Sequence, residues 1–88
     1  MDIRKLLNGI GIKVFVEYFQ YFNNLSYEVA DIIEILPSKY TEKSRRSRIS
    51  KARTLIKENR VQEALDYILE SQRISEEIKN QAVNTIKA

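Results

Sequence analysis

The chain has 88 residues, 43% of them hydrophobic and 31% charged, with a net charge of +3. That is the composition of one small globular domain rather than of a disordered tail. With no Cys and no His, disulfides, thiolate metal sites and Ser-His or Cys-His nucleophile systems cannot be built, and a zinc site would have to rest on carboxylates alone. The expectation is a binding protein with no catalytic residue, no metal and no cofactor.

The opening stretch, MDIRKLLNGIGIKVFVEYF, is interrupted by Lys13 and Glu17 and has no small-residue cleavage site, so it does not read as a signal peptide. No uncharged run approaches the roughly 18 residues of a membrane span. The expected location is the cytoplasm, with no membrane partner.

Asp2 can cap a short helix carrying Ile3, Leu6 and Leu7, with Gly9 as its stop and a turn around Gly9 and Gly11. Ile10, Ile12, Val14 and Val16 alternate as in a strand. Ile12, Phe15, Val16, Phe19 and Phe22, however, share one helical face. A lone strand has nothing to pair with, so a helix is expected from Ile12 to Asn23. Its aromatics read as core, with Tyr18 and Tyr21 partly off the core face. Ser26 can cap a helix Tyr27–Leu36 that buries Val29, Ala30, Ile32, Ile33 and Leu36, and Pro37 ends it. After the turn Ser38-Lys39-Tyr40, Thr41 can cap a long helix reaching Glu58, with Asn59 as a left-handed stop. Val61–Ser71 reads as an amphipathic helix with Ala64, Leu65, Ile68 and Leu69 inward. Ser75, followed by Glu76 and Glu77, caps a last helix carrying Ile78, Ala82, Val83 and Ile86. Glu76 with Glu77 and Asp31 with Glu34 read as helix-end and solvated charges, not as paired catalytic acids. The sum is an all-α bundle of four to five helices, one domain over 1–88, with a two-helix unit over 26–58 and a C-terminal helical hairpin over 61–88.

The charge is not spread evenly. Residues 38–60 carry nine basic and two acidic side chains, a net +7, whereas 1–37 and 61–88 are each −2. A basic block between mildly acidic flanks points to a polyanionic partner. Within it, Lys43, Arg46, Ser50, Arg53 and Lys57 are spaced +3, +4, +3 and +4. They line the side of the helix away from Ile49, Ala52, Leu55 and Ile56. Arg45 and Arg48 point closer to the core side but lie in the first turns, before Ile49, and are expected to project beyond the packed region. Ser44, Ser47 and Ser50 are short donors that would let a helix approach a duplex closely. Lys39, Tyr40 and Thr41 complete the expected contact set at the helix entrance. Tyr40 either touches a ligand or packs over the turn.

The segment before this helix, Leu25-Ser26-Tyr27-Glu28-Val29-Ala30-Asp31-Ile32-Ile33, resembles the first helix of helix-turn-helix DNA-binding domains. In that family the helix often opens Leu-Ser-x-x-x-Ala with an aliphatic residue three positions on, matched here by Ala30 and Ile33. The resemblance spans about residues 25–55. It departs at Glu34, where the turn glycine usually stands, and at Pro37, which belongs to a longer connection. It implies that Ala30 sits where the second helix crosses, and that Thr41 to Ser50 form the contact half of a recognition helix.

Three partners follow. The first is duplex DNA, read by a small regulator or by the recognition subunit of a phage or plasmid machine, with a homodimer doubling the phosphate contacts through the last helix or the aromatic N-terminal one. The second is RNA, bound by SRRSRISKAR as an arginine-rich helix. The third is an acidic protein on which the basic helix docks.

Overall fold

The computed structural model describes residues 1–86, which form seven helices and no strand. They are α1 (Ile3–Ile10), α2 (Ile12–Glu17), α3 (Phe19–Phe22), α4 (Val29–Ile35), α5 (Glu42–Lys57), α6 (Val61–Glu70) and α7 (Glu76–Ile86). The all-α class is as expected, but there are more helices than four or five. The last two positions of the expected C-terminal hairpin lie outside the described residues.

One of the added helices comes from a division. The single helix expected over Ile12–Asn23 is two, divided at Tyr18 (φ −112°, ψ 14°). Hydrogen bonds carry through the division, since the Tyr18 amide donates to the Val14 carbonyl and the Tyr18 carbonyl accepts from Tyr21 and Phe22. This is a kink, not a loop. Val14, Phe15 and Val16 are all buried, and three successive helical positions sweep about 200°. Core therefore surrounds more than half of α2. The kink then turns Phe19 and Phe22 onto the same core, where Phe15 meets Phe19 edge-on at 5.5 Å and Phe22 stacked at 6.5 Å.

The first helix passes through Gly9 and stops at Gly11, whose φ of 90° suits glycine. A Cβ on Gly9 would lie 2.7 Å from the Lys51 side chain, and one on Gly11 would lie 2.8 Å from the Arg48 guanidinium. Both glycines thus make room for α5, which packs directly on α1.

The fourth helix begins later than expected. Ser26 does not cap it, because the Asn24 side chain accepts from the Ser26 amide and holds that residue in a turn. The cap is Glu28, whose amide donates to the Asp31 carboxylate at 2.8 Å. Ile32, Ile33 and Leu36 are buried as expected, but Val29 and Ala30 are exposed. Ala30 therefore does not make the close helix crossing that the resemblance implied.

Other local expectations are met. Asp2 caps α1 by accepting from the Arg4 amide, Thr41 caps α5 by accepting from the Ser44 amide, and the Ser75 hydroxyl accepts from the Ile78 amide. Asn59 adopts the left-handed conformation, φ 58°, after α5. Ile49, Ala52 and Leu55 of α5, Ala64, Leu65 and Ile68 of α6, and Ala82 of α7 complete the core. Helix α5 packs on α1, α3 and α4, while α2 and α3 pack on α7. The helices expected to supply a dimer interface are thus neighbours within a single copy. No helix among the described residues is long and apolar enough to cross a membrane.

Candidate nucleic-acid interface

Helix α5 has two kinds of cation, and the wheel separates them only in part, since it sets Arg53 beside Arg46. Arg45 donates to the Ile33 carbonyl at 2.8 Å, Arg48 to the Ile10 carbonyl at 2.6 Å, and Arg53 to the carbonyls of Asn24 at 3.2 Å and Tyr27 at 2.6 Å. All three are half-buried. They do not project from the fold. They hold it.

Each tether has a local reason. The Ile33 carbonyl is orphaned because its helical donor would be the amide of residue 37, and Pro37 has none; Arg45 supplies the missing hydrogen. Ile10 is the last residue of α1, where carbonyls lack intrahelical partners and the helix dipole favours a cation. Arg53 closes the turn between α3 and α4 from outside. Arg48 is further fixed by its Nε–H, which donates to Ser44 Oγ at 3.1 Å, and by stacking 3.9 Å from the centre of the Tyr40 ring. Lys39 Nζ stands 5.3 Å from the same ring centre. Tyr40 therefore packs over the turn, half-buried against Arg48.

What remains on the outside is a single stripe. Lys43, Arg46, Ser47, Ser50, Thr54 and Lys57 are all exposed, and their spacing keeps them on one face of α5. Cations stand at both ends, and three short hydroxyl side chains lie between them. From Lys43 to Lys57 the helix rises about 21 Å. Arg46 is paired with Glu42 at 3.3 Å, but both side chains are well exposed, so the pair holds weakly and can be exchanged for a phosphate. At its C-terminal end the stripe runs into a groove of about 530 Å³ lined by Asn23, Leu25, Arg53, Ile56 and Lys57. Leu25 is 82% exposed there, more than any other large apolar side chain described.

Of the expected contact set, Lys39, Thr41, Lys43, Arg46, Ser47, Ser50 and Lys57 lie exposed on α5 or at its entrance. Tyr40, Arg45, Arg48 and Arg53 are turned to internal partners. Thr54 was absent from that set, although its place between Ser50 and Lys57 on the exposed face was legible. Lys51 is half-buried, its stem over Gly9 and its ammonium donating to Ser47 Oγ at 2.8 Å.

No described carboxylate offsets the tethered arginines. Their partners are neutral carbonyl oxygens, and among the described residues none of the three forms a carboxylate ion pair. The field over α5 thus includes cations whose donors are already engaged. Among the described residues no group of three or more acidic side chains could hold a metal ion. No protein-family model, curated protein or solved structure matches the chain.

Proposed function

We propose that the protein binds duplex nucleic acid, DNA first among the candidates, by laying the exposed face of α5 against the groove. The observation that carries this reading is the stripe itself: cations at both ends, small hydroxyls in the middle, and no aromatic or large apolar side chain between them. A major groove about 12 Å wide admits one α-helix. Ser47, Ser50 and Thr54 permit close approach, while Lys43, Arg46 and Lys57 reach phosphates or a guanine edge. Arg45 and Arg48 add field from behind the contact face, and Arg53 adds it from the groove at the C-terminal end of the stripe. The helix-turn-helix resemblance of α4 and α5 agrees with this use of α5, although the support rests on the stripe.

The test is fluorescence anisotropy of a labelled duplex at several salt concentrations. Binding should weaken steeply with salt, and the triple variant Lys43→Ala/Arg46→Ala/Lys57→Ala should lower the logarithmic salt slope by about 3. A triple variant that binds as the parent does would remove this face from consideration. Better competition by single-stranded RNA than by duplex DNA would move the reading to RNA. No binding even at low salt would leave an acidic protein as the partner to seek.

A further inference from the structure

A second site lies away from the α5 stripe. Arg4 and Asn8, one turn apart on α1, face Tyr67 of α6 and the α6–α7 loop across a cleft of about 510 Å³. Ile12, Ser71, Gln72, Arg73 and Ile74 complete its lining. Ile12, Tyr67 and Ile74 are half-buried and make an apolar floor, while Arg4 and Arg73 are exposed at the rim. No acidic residue lines the cleft. Among the described residues, neither guanidinium forms an ion pair or donates a side-chain hydrogen bond. This sets them apart from Arg45, Arg48, Arg53 and Arg60, whose side chains are all engaged within the fold.

We propose that this cleft binds a small aromatic anion, its ring on Ile12, Tyr67 and Ile74 and its anionic group between Arg4 and Arg73. The volume falls in the range of small-molecule sites, which combine an apolar body with a few convergent polar groups. Two free planar guanidinium forks suit a carboxylate, sulfonate or phosphate. Asn8, Ser71 and Gln72 add polar groups to the lining. The cleft is built from α1, α2, α6 and the α6–α7 loop, so an occupant would bridge the N-terminal and C-terminal parts of the chain. The proposal does not depend on nucleic-acid binding by α5.

The probe is 8-anilinonaphthalene-1-sulfonate, with the neutral N-phenyl-1-naphthylamine as comparator. The sulfonate should bind with one-to-one stoichiometry, and Arg4→Ala/Arg73→Ala should weaken it by tenfold or more while leaving the neutral comparator unchanged. Since neither side chain bonds within the fold, the circular dichroism of that variant should match the parent. Amide shifts on titration should cluster at residues 8–12 and 71–74. Absent binding, equal binding by the double variant, or shifts confined to the groove around Leu25 and Ile56 would overturn the assignment.

Discussion

Arg46 and Arg48 are two residues apart and both basic, yet the structure gives them opposite work. Arg48 satisfies the last carbonyl of α1, bonds Ser44 and covers Tyr40. Arg46 touches only the exposed Glu42. Removing a buried acceptor's partner costs about 1–3 kcal/mol, and the cation–ring contact adds about 0.5–1 kcal/mol at a partly exposed site. Arg48→Ala should therefore lower the unfolding free energy by about 2 kcal/mol in urea titrations. Arg46→Ala should stay within about 0.5 kcal/mol of the parent, as surface substitutions do, and should lose affinity for duplex instead. Arg45 and Arg53 are less favourable tethers than Arg48, because each buries its Nε–H with no acceptor. Arg53 was expected on the same outward side as Arg46, and a double substitution of those two would confuse lost binding with lost fold. A helical wheel turns Arg45 and Arg48 toward the core side but leaves Arg53 beside Arg46, and it names no partner for any of them. Their partners are carbonyls 12 to 38 positions away, and a carbonyl leaves no mark on the sequence. One hint was present: a proline four positions after Ile33 frees that carbonyl, so some donor had to reach it.

Among the elements, most helix ends governed by neighbours within four residues were legible, and the start of α4 was not. Asp2, Thr41, Ser75 and Asn59 cap or stop their helices as their types dictate. Ser26 is as good a cap by type, but Asn24 and Arg53 hold its loop in another shape, and α4 starts at Val29. The kink at Tyr18 was hidden because no glycine or proline marks it. The start of α6 shows how one cation can serve several ends. Arg60 bonds the Glu63 carboxylate through two contacts of 3.0 Å, reaches Glu58 at 3.6 Å and donates to the Met1 carbonyl. Its hydrogen bonds hold the Glu63 carboxyl below the usual carboxylate range. A depressed folded-state pKa gives stability that is present above the unfolded value and lost as pH falls through the folded one. Thermal midpoints measured from about pH 5 to about pH 3 should therefore fall less steeply in Glu63→Gln than in the parent.

For the whole molecule, the fold class was readable because nearly every inward position follows helical periodicity. The layering was not, since periodicity says which face is buried and not against what. The radius of gyration is 12.1 Å, as expected for a folded chain of this length. A single cluster joins Leu7 of α1, Phe15 of α2, Phe22 of α3, Ile49 of α5 and Ile68 of α6. With one core and no disulfide, the loss of a central ring has nothing to offset it. Phe15, fully buried between Phe19 and Phe22, should cost about 3–5 kcal/mol as Phe15→Ala. A domain of this size has only about 4–13 kcal/mol in total. Urea denaturation followed by circular dichroism should show the midpoint of this variant far below that of the parent.

The arginine tethers carry a practical consequence for handling the protein. They join a cation to a neutral oxygen across a partly buried contact, and such bonds are screened far less than charges facing open solvent. A polyanion held on the exposed stripe is screened in full. A concentrated salt wash should therefore release a polyanion bound at the proposed interface and leave α5 anchored to α1 and α4, so that material cleaned in this way is still folded and ready for titration.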